Sequence, residues 1–157
     1  MTEDDLRGAL AEYRAGLEAE LSILEQLAAV AARQHEVSTR RDYERLTVEG
    51  EQRDRLTGAL VALEDGLQPV RRRLADERDR AAAQPGYLEI VTLRQRAAAT
   101  VTHILSTDEA SLQSLADAEL ARRAAVAGLV QGESTLAGYR RVLSPATTPA
   151  ALINRRG

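Results

Sequence analysis

The sequence predicts an all-α protein, an elongated antiparallel bundle of three long, coiled-coil-like helices. Leu, Ala and Val recur at steps of three and four over most of the 157 residues, the period of one helix face. The chain is 44% hydrophobic yet only 3% aromatic, with no Phe and no Trp. Small aliphatic side chains of that kind suit narrow seams between closely packed helices. No sustained apolar–polar alternation and no Asn-Gly or Asp-Gly pair marks a strand or hairpin. The length suits one self-supporting domain, with residues 1–143 assigned to the bundle and 144–157 to a flexible tail.

The first helix, about residues 3–37, is expected to start after Thr2, whose hydroxyl can cap it. Glu3, Asp4 and Asp5 then favour the positive end of its dipole. Leu6, Leu10, Tyr13, Leu17, Leu21, Leu24, Ala28 and Ala31 form its stripe. A break follows at Ser38-Thr39-Arg40-Arg41-Asp42, with Asp42 the best-placed N-cap.

The second helix, about 42–83, carries Leu46, Arg53, Leu56, Leu60, Leu63, Leu67, Val70 and Leu74. Gly50 and Gly58 each weaken it by about 1 kcal/mol relative to Ala. Close approach of a neighbouring helix is one reason to keep them. Pro69 removes a backbone donor, so a kink is expected near Gly66-Leu67-Gln68. It is not read as an end, because Leu67, Val70 and Leu74 stay in phase. Gln84-Pro85-Gly86 is an unambiguous turn.

The third helix, about 87–143, runs through Leu88, Val91, Gln95, Ala98, Val101, Leu105, Leu112 and Ala116. Val126, Leu129, Leu136, Tyr139 and Leu143 continue the pattern. Ser106-Thr107-Asp108-Glu109 could open a new helix, but continuity is the favoured reading. A continuous helix would be roughly 85 Å long and outrun its partners. The segment from Ser144 onward, with Pro145 and Pro149, is expected to be disordered.

Composition also bears on function. Charged residues make up 29% of the chain, both signs are interspersed, and the net charge is −3. Nucleic-acid binding calls for a concentrated basic face and is not expected here. Arg71-Arg72-Arg73 is the densest basic run, but Glu64, Asp65, Asp76, Glu77 and Asp79 flank and partly neutralise it. Without cysteine there are no disulfides, thiolate zinc sites or cysteine nucleophiles. The start is acidic, not a positive segment before an apolar run. No stretch approaches the roughly 20 apolar residues needed to cross a bilayer. A cytoplasmic location without membrane insertion is therefore expected.

The histidines lack the surroundings of ligands. Di-metal bundles use Glu-x-x-His motifs, whereas Ala32 and Thr100 stand three residues before His35 and His103. There is no Gly-rich phosphate loop, and the serines lack a nucleophile-elbow context. The carboxylates alternate with arginines on faces read as solvated. None are expected to pair in an apolar pocket where a pKa could rise. No catalytic, cofactor-binding or metal-binding residue is assigned, and an enzyme is not expected.

Some of the layout is familiar. From Leu24 to Leu74 a helix reaches Glu36 and breaks before Asp42-Tyr43-Glu44-Arg45-Leu46, and a Leu-rich helix follows around Arg53 and Leu56. Later come His103-Ile104-Leu105-Ser106-Thr107-Asp108-Glu109-Ala110-Ser111-Leu112 and a charged helix closing at Leu136-Ala137-Gly138-Tyr139. This arrangement resembles the FlgN/FliT-like flagellar type III export chaperone family over most of the chain. Two departures stand out: the basic residue of the middle helix is Arg53, and no Asn accompanies Asp108.

The resemblance implies a cytoplasmic chaperone that escorts hook-associated (hook-filament junction) proteins to the export gate. It would hold a substrate's terminal helix against its own C-terminal helix, completing a seam left open. On that reading Val126, Leu129, Leu136 and Leu143 bind the partner. Tyr139 matches the family's C-terminal tyrosine, associated with docking on the export-gate protein, and a seam residue capping the bundle is the other reading. The alternative function is a structural or adaptor coiled coil that homodimerises through the same apolar stripe.

Overall fold

The computed structural model describes the backbone of residues 1–143 and the side chains of residues 1–132, so the tail expected at 144–157 lies outside the described residues. The protein is predominantly helical: α1 spans Glu3–Thr39, α2 Tyr43–Asp76, α3 Arg78–Ala82 and α4 Tyr87–Leu143. No strand occurs among the described residues. The chain divides into two compact units, Met1–Leu115 and Ala116–Gly157.

The ends of the helices follow their local chemistry. The Asp5 backbone N–H donates to Thr2 Oγ1 at 3.1 Å, and the Thr2 N–H donates to Asp5 Oδ2 at 3.0 Å, a reciprocal capping box. These bonds hold the Asp5 carboxyl below its ordinary pKa. Asp42 Oδ1 accepts the Arg45 N–H at 3.1 Å and caps α2 as expected. The turn before it places Arg41 in the left-handed region at φ 58°. Gly86 takes φ 88° before α4, a conformation that glycine adopts at little cost and residues with a Cβ do not.

Within the first unit α1 supplies the central seam. Leu6, Leu10, Tyr13, Leu17, Leu21 and Leu24 are buried, as their spacing predicts. α2 runs back along it: Arg33 pairs with Glu49 and Glu12 with Arg73. The first segment of α4 follows the direction of α1, through Arg14–Glu89, Glu25–Arg96 and a contact between His35 and Ser111. One apolar cluster joins Leu10 and Leu17 to Leu67, Val70, Leu74 and Ile90. A second joins Leu24, Leu27 and Ala31 to Ala97 and Ile104, with Leu56 and Leu60 against it.

Three details differ from the sequence reading. α2 passes through Pro69 without ending, but it stops at Asp76, and a separate short helix takes residues 78–82. Contacts remote in sequence draw this segment toward the start of α1. Arg80 donates to the Met1 carbonyl at 3.1 Å and Gln84 to Glu3 at 2.5 Å. The close helix approach also lies elsewhere. A Cβ at Gly50 or Gly58 would meet nothing, whereas one at Gly16 would collide with the Leu67 side chain.

The third difference concerns α4. Its covered face is Ile90, Ala97 and Ile104, a strict seven-residue step, with Leu93 packed beside it. Leu88, Val101, Leu105 and Leu112, read as the inward stripe, are exposed. This helix is apolar on two faces. Leucine spacing selects the wrong one, because the covered positions of this helix are Ile and Ala while Leu88, Leu105 and Leu112 lie on the other face. α4 is nevertheless continuous through 106–109, as favoured.

Candidate functional site

Two polar layers interrupt the apolar seams of the first unit. At one, Arg53 of α2 donates from both terminal nitrogens to Asp108 of α4, each at 2.6 Å, and also to Gln34 of α1 at 2.8 Å. Both charged side chains are less than one-third exposed, at 29% and 26%. The pair raises the Arg53 pKa further, mainly through the Asp108 hydrogen bond. A bidentate pair sheltered from water is geometrically specific and suits the setting of helix register.

The other layer contradicts the expectation that no carboxylates pair in a sheltered place. Arg71 forks onto Glu64, with Nη1 to Oε2 at 3.1 Å, and lies over the Tyr13 ring at 5.8 Å from its centroid. Glu20 of α1 lies against Glu64. Desolvation first, then the hydrogen bond and charge of Glu64, push the Glu20 carboxyl up to about 7. Its Oε2 is buried and receives no donor. The Glu64 carboxyl is shifted the other way, its pKa lowered chiefly by the hydrogen bond from Arg71. Glu20 stands one turn after Gly16, where α1 lies close to Leu67 of α2, and Leu67 itself lies between Glu64 and Arg71. Sequence reasoning missed this site, because the pairing lies between helices.

The basic run is largely absorbed. Arg71 pairs with Glu64, Arg73 with Glu12, and Arg72 donates to Gln68 at 3.3 Å. Among the described residues no group of three or more metal-ligating side chains comes together. His35 Nδ1 lies 3.3 Å from Ser111 Oγ, and His103 is exposed. No helix among the described residues is long and apolar enough to cross a membrane.

The second unit presents a different surface. Residues 120–132 of α4 are all exposed. Among them Val126 is 46% and Leu129 71% exposed, beside exposed Leu120 and Val130. Local interactions favour the helix here. Ala116, Ala118, Ala121, Ala124, Ala125 and Ala127 are strong helix formers. Glu119 also binds Arg122 and Arg123 one turn on, at 2.9 and 3.0 Å. The two guanidiniums hold the Glu119 carboxyl at about 2. In the sequence Leu129 stands two heptads after half-buried Leu115. Leu136 and Leu143 continue that step in the sequence, but their side chains and that of Tyr139 lie outside the described residues.

Known proteins offer no template. Comparison with family models, curated proteins and solved structures finds no match to this chain. The functional reading therefore rests on the residues themselves.

Proposed function

We propose that the chain is a binding protein of the flagellar export-chaperone type, built on a three-helix antiparallel bundle over residues 1–143. In this reading it works in the cytoplasm, takes the terminal helix of hook-associated proteins on the distal face of α4, and delivers them to the export gate. Val126, Leu129, Leu136 and Leu143 receive the guest, and Tyr139 engages the gate protein. The observation that carries the reading is the exposure of Leu129 and Val126 on a helix whose earlier turns are covered. An amphipathic guest helix would bury those side chains, at about 1.5–3 kcal/mol for each fully buried.

Calorimetric titration of the full chain with C-terminal helical segments of hook-associated proteins tests it. Binding well above that of an unrelated amphipathic helix is the expected result, and equal binding would reject the reading. Sedimentation across concentration addresses the adaptor alternative, which requires a tight homodimer that Leu129→Asp disrupts.

A further inference from the structure

The first unit carries a second apolar feature, a groove between α2 and α4 with α1 as its floor. Two adjoining cavities, about 440 and about 470 Å³, share Tyr13, Arg71 and Arg94. Leu10, Tyr13 and Leu17 form the floor, Leu74 stands on the α2 side, and Ala98 and Val101 on the α4 side. Along α4 the lining runs from Tyr87 to Val101, about 21 Å, or four helical turns. That is the footprint of a helix of about 14 residues.

Charge defines the occupant further. Arg71, Arg78 and Arg94 line the cavities. Arg71 is matched by Glu64, but Arg78 and Arg94 make no hydrogen bond or ion pair among the described residues. The one carboxyl on the lining of either cavity is Glu20, which is turned toward Glu64. The groove therefore offers an apolar trough edged by unmatched cations.

We infer that this groove docks an amphipathic helix of a partner protein, with an apolar stripe flanked by acidic side chains that meet Arg78 and Arg94. The helix lies along α4 from Tyr87 to Val101 and covers Val101, now 40% exposed. Charge complementarity of this kind selects the partner and speeds encounter more than it adds affinity. The inference stands apart from the distal face of α4.

The test uses the full, isotope-labelled chain and two designed helical peptides of about 18 residues. One carries a Leu stripe flanked by Glu, the other the same stripe flanked by Lys. The Glu peptide is expected to shift the resonances of Tyr13, Ala98 and Val101 and to bind about tenfold more tightly than the Lys peptide. Arg94→Glu, at an exposed position, should weaken the Glu peptide about tenfold, and Ala98→Arg should fill the trough and abolish binding. Leu129→Asp should leave it unchanged, which separates this outcome from the distal-face reading. Equal binding of the two peptides, or shifts confined to residues beyond 120, would overturn the inference. Self-association abolished by Ala98→Arg would do so as well, by assigning the groove to a second copy.

Discussion

Where α1, α2 and α4 meet at Gln34, Arg53 and Asp108, one cation faces one anion, and every strong contact lies between 2.6 and 2.8 Å. Where α1 and α2 meet at Glu20, Glu64 and Arg71, two carboxyls compete for one guanidinium. The first layer is neutral with all its charges in place, whereas the second becomes neutral only by holding a proton. The difference teaches that helix register and helix spacing act separately on buried charge. A long arginine bridges a matched position in the first layer. In the second, two carboxyls lie together one turn from Gly16, where a Cβ would collide with Leu67.

The comparison can be broken most strongly at the matched layer. Asp108→Ala leaves the sheltered Arg53 unpaired and should cost about 2 kcal/mol, less than for a fully buried pair. Denaturant melts should show that loss equally at pH 6 and pH 8. Next, Gly16→Ala forces α1 away from Leu67 and should cost about 1.5 kcal/mol by overpacking. By separating the helices it should also bring Glu20 back toward 4.5, its ordinary value, readable by carboxyl NMR titration.

Glu20→Gln sharpens the contrast through pH. The folded carboxyl titrates near 7 and the unfolded one near 4.5, so the folded state keeps a proton that the unfolded state has released. Stability therefore falls as pH rises from 4.5 to 7, and the penalty is complete above 7. Gln keeps the donor to Glu64 without the charge. The variant should be more stable at pH 8 by about 1 kcal/mol, allowing for solvent screening, and equal to the parent near pH 4.5. The smallest effect serves as a control. Gly58→Ala, facing open space, should stabilise α2 by about 0.7 kcal/mol.

Much of the helical scaffold was legible in the sequence, because its signals are local. Thr2 and Asp42 cap where hydroxyl and carboxylate chemistry places them, and the α1 stripe is buried as spaced. What stayed hidden depends on partners remote in the chain. The break at Glu77 follows from Arg80 reaching Met1, and the close approach at Gly16 from Leu67 on another helix. On α4, apolar residues occupy two faces, so periodicity alone could not tell the seam through Ile90, Ala97 and Ile104 from the open stripe through Leu105 and Leu112. Of the candidate site, Val126 and Leu129 are exposed, Leu136, Tyr139 and Leu143 have side chains outside the described residues, and the Glu20–Glu64 pair gave no local sign.

The proposed function reserves the face of α4 at Val126 and Leu129 for a guest, with little contribution to the fold. Circular-dichroism melts of Leu129→Asp, run beside titrations with the terminal helix of a hook-associated protein, test it most directly. An unchanged melting temperature and helicity, with affinity reduced about tenfold or more, is the expected result. A variant that unfolds early, or one that binds as tightly as the parent, would contradict it.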